Sequence, residues 1–354
     1  MSEAPLIAGW DIGGAHVKAC LLRDGDLHDV AQWACPLWQG LDKLAIVLGQ
    51  ARARWPTLDN AWHAVTMSGE MVDLFPQRED GVQAIAALLA QTFGDTVAVY
   101  AGDAGWCSAA EASAAWRSIA SANWLAAARL AARQSAQGVL VDIGSTTTDL
   151  IAFAGGRVLA PERSDAERLA SGALVYHGVV RTPLCALARR IPFRGRLHNV
   201  MNEFFATTAD VYRLTGELNP AHDLHPTADG APKTMAATRQ RLARMIGLDA
   251  RDASDDEWLA FAQAWRGEQL REIAGQLDEV LAAHGLPADT PLISAGCGDF
   301  LAPTLSSLES GRPFSSYAIS VCELGSRPEQ AAWVQVCAPS VAVAMLFALD
   351  KECF

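Results

Sequence analysis

At 354 residues the chain has room for two ordinary domains with sizeable cores, and 51 % hydrophobic with 19 % charged residues is the composition of a well-packed soluble protein. A net charge of −12, with no basic patch interleaved with aromatics, excludes sequence-independent nucleic-acid or anionic-membrane binding. Residues 1–5 carry no signal-peptide pattern, no uncharged run reaches the roughly 18 apolar residues of a spanning helix (334–349 comes nearest), and the eight cysteines fall singly as reduced thiols, so a cytoplasmic protein is expected.

In chain order, an apolar strand through residues 6–10 ends in Asp11-Ile12-Gly13-Gly14. It turns through small residues and leaves as an alternating strand, Val17, Ala19 and Leu21 against Lys18, Cys20 and Leu22. Glycine in such a turn lets backbone N–H groups face anionic oxygens, and a carboxylate beside it can hold Mg²⁺. A turn at Asp24-Gly25-Asp26, a strand at 27–35, a helix at 41–54 and a buried strand at 61–67 follow. That strand runs into Ser68-Gly69-Glu70. Ligands sit at the C-terminal ends of strands in α/β sheets, which makes Glu70 a candidate base or metal group; equally, it reads as a helix-start carboxylate. Residues 81–93 predict an amphipathic helix, 96–100 a strand, and 106–136 two helices broken near Ser121-Ala122-Asn123-Trp124, with an N-cap there. Alternating strands and helices predict an α/β sheet with covered faces.

The grammar of the first hairpin recurs at residues 139–150. A buried strand ends in Asp142-Ile143-Gly144, then Ser145, Thr146, Thr147 and Thr148 supply hydroxyls, and Asp149 precedes a second apolar strand. One copy reads equally well as a Ser/Thr-rich turn; two copies, about a domain length apart, imply a duplicated fold. A short helix is expected at 164–171, with Asp165 in its first turn, and a strand through 172–183. There Arg181, in extended backbone before Pro183, can meet an anion or pair with an acidic neighbour. Residues 202–212 predict a helix carrying Thr207 and Asp210 on one side. His222 and His225 lie in a loop with no third ligand at a fixed spacing, so they read as two surface histidines before they read as a metal site. Helices follow at 233–246 and 254–284. A third motif takes a buried strand into Gly296-Cys297-Gly298, and a single apolar helix from 328 to 349 closes the pattern.

Two Asp-Ile-Gly hairpins in this order resemble the phosphate-1 and phosphate-2 hairpins of the sugar kinase, heat-shock ATPase and actin superfamily, with Gly296 and Gly298 at the place of its adenosine motif. The resemblance implies two ribonuclease-H-like α/β domains flanking a central cleft, here 1–135 and 136–327, with 328–354 packing back on the first. The phrases Met67-Ser68-Gly69-Glu70, Val179-Val180-Arg181-Thr182-Pro183 and Thr207-Thr208-Ala209-Asp210-Val211-Tyr212, with both hairpins, are similar to the hydantoinase/oxoprolinase-related proteins of the tetrahydromethanopterin-linked one-carbon pathway, over residues 9 to about 301. His16 departs from that pattern, which has Asn. This narrower resemblance implies a transferase in methanofuran or methylofuran synthesis. Its reaction condenses an aminomethylfuran-methyl diphosphate with a tyramine- or tyrosine-derived phenol, forms an ether and releases pyrophosphate. On these residues Asp11, Asp142 and Asp149 would place Mg²⁺. Gly13, Gly14 and Lys18, with Gly144, Ser145, Thr146 and Thr147, would neutralise the diphosphate. Glu70 or Asp210 would serve as base, and Arg181 would bind the acceptor's carboxylate. Partners are then small molecules, with a homodimer admitted. Two other readings of the hairpins stay open: an ATP-using kinase or oxoprolinase/hydantoinase-like amide hydrolase, and a non-catalytic nucleotide-dependent switch.

Overall fold

The computed structural model describes residues 6–308, 311–320 and 328–351. Strand β1 (Leu6–Ile12) alternates between two helical layers. Ala8, Trp10 and Ile12 enter a core with Leu44, Val47 and Leu48 of helix Asp42–Arg54 and Val82, Ile85 and Leu89 of helix Arg78–Phe93. Gly9 points the other way. A Cβ there would lie 2.1 Å from the Ser340 carbonyl oxygen and 2.7 Å from Ala344 Cβ, so only glycine lets helix Ala338–Lys351 cross β1 this closely.

The first sheet adds β2 (His16–Arg23), β3 (Asp26–Ala34), β4 (Trp62–Met67), β5 (Val97–Tyr100) and β6 (Trp106–Ser108), in the order β3-β2-β1-β4-β5-β6. β1, β2 and β3 form an antiparallel meander; β4 joins β1 in parallel and β5 joins β4 in parallel. The second sheet is built from β7 (Gln137–Ile143), β8 (Thr148–Ala154), β10 (Leu174–Val175), β13 (Leu292–Ala295) and β14 (Phe314–Ser316), in the order β10-β8-β7-β13-β14, with β9 (Arg157–Val158) paired to β8. Counted within each sheet, five strands share the order 3-2-1-4-5, so the duplication read from the hairpins is a duplication of topology. A separate hairpin, β11 (Arg190–Phe193) and β12 (Arg196–Asn199), turns through Arg194 and Gly195, both at positive φ. The chain divides into two units. The first takes residues up to Gln137, Phe153–Arg168 and the chain from Tyr317; the second takes Gly138–Ala152 and Leu169–Ser316.

Four expected elements differ. The single helix at 328–349 is two, Pro328–Val336 and Ala338–Lys351, bent by 96°. Pro339, in the first turn of the second helix, has no N–H to continue the first, and the Ser340 hydroxyl caps the Cys337 carbonyl instead. The strand expected through 172–183 stops at Val175. The helix expected over 202–212 begins only at Thr208, because Thr207 and Asp210 form a capping box there. The first helix expected in 106–136 gives way to β6, an irregular turn and the short helix Trp116–Ile119 before helix Asn123–Gln134.

Among the described residues, Cys20, Cys35, Cys107, Cys185, Cys297 and Cys337 form no disulfide bonds; Cys322 and Cys353 lie outside them, as do residues 1–5 and 352–354. No single described helix is long and apolar enough to cross a membrane.

Candidate active site

In the first unit, the Gly13 N–H donates to the His16 carbonyl at 3.0 Å and closes the first hairpin. That register sets Lys18 directly across from Asp11. Cross-strand partners share a face, so Lys18 and the buried Asp11 lie on one face of the sheet at the end of β1. On its other side Asp11 is paired with Thr66 of β4. The exit of β4 then packs beneath the hairpin turn: Ser68 N–H donates to Ile12 O at 3.0 Å, and a Cβ at Gly14 would stand 2.6 Å from Val72 Cγ1.

Glu70, in that exit loop, is 1 % exposed. Its Oε1 lies 3.0 Å from Ser121 Oγ, and its buried Oε2 has no hydrogen-bond partner. Burial pushes its carboxyl up to about 7, reinforced by the Asp165 charge and opposed by the Ser121 hydrogen bond and the Arg78 charge. Ser121 holds φ +52, a left-handed backbone unusual for a side-chain-bearing residue. This aims its single hydroxyl at Asp165 Oδ2 as well, again at 3.0 Å, and Asp165 pairs with Arg78 at 2.9 Å. From sequence, Ser121 reads only as part of a helix cap and Asp165 only as a first-turn acid of the short helix at 164–171. No sequence pattern announces a serine at positive φ.

In the second unit, the Gly144 N–H donates to Thr147 O at 2.8 Å and closes the second hairpin as Gly13 closes the first. Counting outward from that bond sets Asp149 across from Asp142, both half-buried. Where the first hairpin pairs a carboxylate with a cation, the second pairs two carboxylates. The turn is held by the segment that the sequence reads as a strand. Val179 N–H donates to Gly144 O at 3.0 Å, and Val180 and Arg181 N–H both donate to Ser145 O, at 3.1 and 2.8 Å. Gly178 lies so close that a Cβ would meet Thr146 N at 2.3 Å. Its carbonyl accepts from Thr182 Oγ1, Thr208 Oγ1 and Gln269 Nε2. The Arg181 guanidinium, exposed, reaches Thr146 Oγ1 at 3.4 Å. His225 is near enough that burial, with the Arg181 and Lys233 charges, drives its imidazole down to about 4.

Gly296 and Gly298 pack on the end of β7. A Cβ at Gly296 would meet Ile143 O at 2.1 Å and Asp142 Oδ1 at 2.6 Å, and Gly298 N–H donates to Ile143 O at 2.8 Å. Their smallness thus lets the chain itself approach the Asp142 carboxylate. Asp210 is bound into framework: its Oδ1 meets Arg213 at 2.7 Å and Arg241 at 2.8 Å, and its Oδ2 accepts the Thr207 N–H. Arg213 and Lys233 also pair with Asp223. These pairs tie down the loop that carries the two histidines, so His222 is buried and His225 half-buried, and neither is the surface histidine expected. Among the described residues no group of three or more His, Cys, Asp or Glu is arranged to hold a metal ion.

Residues 62–317 match the family model described as Hydantoinase/oxoprolinase. The chain is 32 % identical to the (4-{4-[2-(gamma-L-glutamylamino)ethyl]phenoxymethyl}furan-2-yl)methanamine synthase of Methanocaldococcus jannaschii, over 79 % of this chain and 83 % of that protein. It is 30 % identical to the enzyme of the same name from Methanococcus vannielii, over 51 % of this chain and 80 % of that one. Among solved structures, nucleotide-free acetone carboxylase aligns with 97 % of this chain and 70 % of its own at 12 % identity and a TM-score of 0.55, a likeness of fold. With the doubled 3-2-1-4-5 sheets, this is the two-domain α/β architecture of the sugar kinase, heat-shock ATPase and actin class.

Proposed function

The chain belongs to the hydantoinase/oxoprolinase family, and on that premise we propose that it is a transferase of methanofuran-type cofactor synthesis, joining an aminomethylfuran-methyl diphosphate to a tyramine- or tyrosine-derived phenol. The observation that carries the reading is the 32 % identity to a synthase whose named product contains that aryl ether, over most of both chains. The phenol oxygen bonds to the furan methylene carbon as the carbon–oxygen bond to diphosphate breaks. The phenolic proton passes to a base, and pyrophosphate leaves.

Each chemical demand finds a residue. Lys18 supplies a cation for the diphosphate, and the Gly13 and Gly14 turn keeps backbone close to it. The Ser145, Thr146 and Thr147 hydroxyls and the Gly144 turn offer donors from the second hairpin. The cross-strand carboxylates Asp142 and Asp149 would suit Mg²⁺, which takes few protein ligands and completes its shell with water and substrate phosphate; Asp11 is the corresponding carboxylate of the first hairpin. When bound, the metal ion would neutralise charge on the leaving diphosphate. Glu70 fits the base better than Asp210, whose Oδ1 already accepts from two arginines and whose Oδ2 accepts the Thr207 N–H. Arg181, beside Thr146, would take the acceptor's carboxylate. The setting is the cytoplasm.

The test is incubation with Mg²⁺, the furan diphosphate and either glutamyl-tyramine or tyrosine, reading pyrophosphate release and product mass. Release without ATP is expected; substrate-dependent ADP formation without pyrophosphate would replace this reading with the kinase or amide-hydrolase one. Asp142→Asn should abolish release with the circular dichroism spectrum unchanged.

A further inference from the structure

We propose that Glu70, Ser121 and Asp165 share one acidic proton, and that Ser121 and Asp165 are positioning residues that hold Glu70 as an acid–base group and pass its proton outward. The distances require the sharing. Ser121 Oγ lies 3.0 Å from Glu70 Oε1 and 3.0 Å from Asp165 Oδ2. A hydroxyl carries one hydrogen, so it donates to one carboxylate and must accept from the other. The second carboxyl therefore carries a proton of its own. Asp165 has the Arg78 guanidinium at 2.9 Å, whereas Glu70 is buried with no cation in contact, so the proton is placed on Glu70. The line then reads Glu70 Oε1–H to Ser121 Oγ, and Ser121 O–H to Asp165 Oδ2. When Glu70 gains a proton at Oε2, its Oε1 proton moves to Ser121, the Ser121 proton moves to Asp165, and Asp165, half-buried, releases it to water. Each group ends with the protons it began with, and one proton has crossed.

The backbone is built for this contact. At φ +52 Ser121 sits where glycine would be at ease, so the hydroxyl is held at the cost of local strain. The charged groups acting on Glu70 are Arg78 from helix Arg78–Phe93 and Asp165 from helix Asp165–Ser171, and they act in opposite directions.

The inference rests on the base reading of Glu70 only for its link to turnover; the proton itself is observable without substrate. Full-length protein labelled with carboxyl ¹³C-glutamate is titrated by NMR, and the Glu70 signal is assigned by its loss in Glu70→Gln. A midpoint near neutrality is expected. Asp165→Asn should lower it by about one unit or more, and Arg78→Met should raise it similarly. A Glu70 midpoint in the ordinary carboxyl range, or one that Asp165→Asn leaves in place, overturns the proposal. The acid limb of the pyrophosphate-release profile should move with the Asp165→Asn midpoint. If the midpoint moves and the limb does not, the base role of Glu70 is lost and the shared proton stands.

Discussion

Glu70 and His63 are both buried in the first unit, and they respond to pH with opposite signs. His63 is fully buried. It accepts the Trp10 indole N–H on Nδ1 at 3.1 Å and stacks on Phe93 at 3.8 Å. Burial holds its imidazole down at about 4, with the nearby Asp59 charge opposing and Arg52 assisting. The unfolded chain takes up that proton near 6.5, so the contribution of His63 to stability is lost as pH falls from 6.5 towards 4. Glu70 runs the other way. Its folded carboxyl holds its proton up to about 7, against 4.5 unfolded, so its contribution is lost as pH rises from 4.5 towards 7. Between 4.5 and 6.5 the two slopes offset each other. Glu70→Gln removes one of them, and urea denaturation of that variant should show stability falling by about 3 kcal/mol as pH drops across this window, relative to wild type. A variant curve parallel to wild type would exclude this opposition. Neither group was legible as an ionisable pair. Glu70 stood out from its place after a strand, but its proton partners come from residues 121 and 165, brought in by tertiary folding alone.

At the scale of elements, both hairpins were readable because their grammar is local: apolar strand, Asp-Ile-Gly, small turn, strand. What steadies the second one was not. Leu174, Val175, Val179 and Val180 make a strand-like run and are indeed buried, yet the backbone from Val179 to Arg181 spends its N–H groups on Gly144 and Ser145, some 35 residues back. Gly178 is the contact point. Gly178→Ala would drive a Cβ into backbone atoms, Thr146 N at 2.3 Å and Ser145 C at 2.4 Å, which cannot rotate away. We expect the turn to shift, with a stability cost of about 1–3 kcal/mol and pyrophosphate release down by about a hundred-fold or more. Gly49→Ala, in open space on helix Asp42–Arg54, is the control and should be neutral to slightly stabilising. Full turnover in Gly178→Ala would show that the clamp does not position the turn.

At the scale of the molecule, duplication was legible and continuity was not. Two hairpins predicted two sheets, and the shared 3-2-1-4-5 order bears that out. The apolar run at 328–349 gave no warning of its bend beyond Pro339, since hydrophobicity marks burial and not direction. Its burial has a consequence for how the protein is made. The face of β1 carrying Gly9 is covered by helix Ala338–Lys351, more than three hundred residues downstream. A chain emerging from the ribosome must therefore keep its first sheet waiting, with one face open, until the second unit has been synthesised. At about 5–20 residues per second that is a delay on the order of ten seconds or more, during which β1, β2 and β4 are natural clients for a chaperone. Nascent chains stalled before residue 338 should accordingly resist protease across the second unit while remaining cleavable in the first.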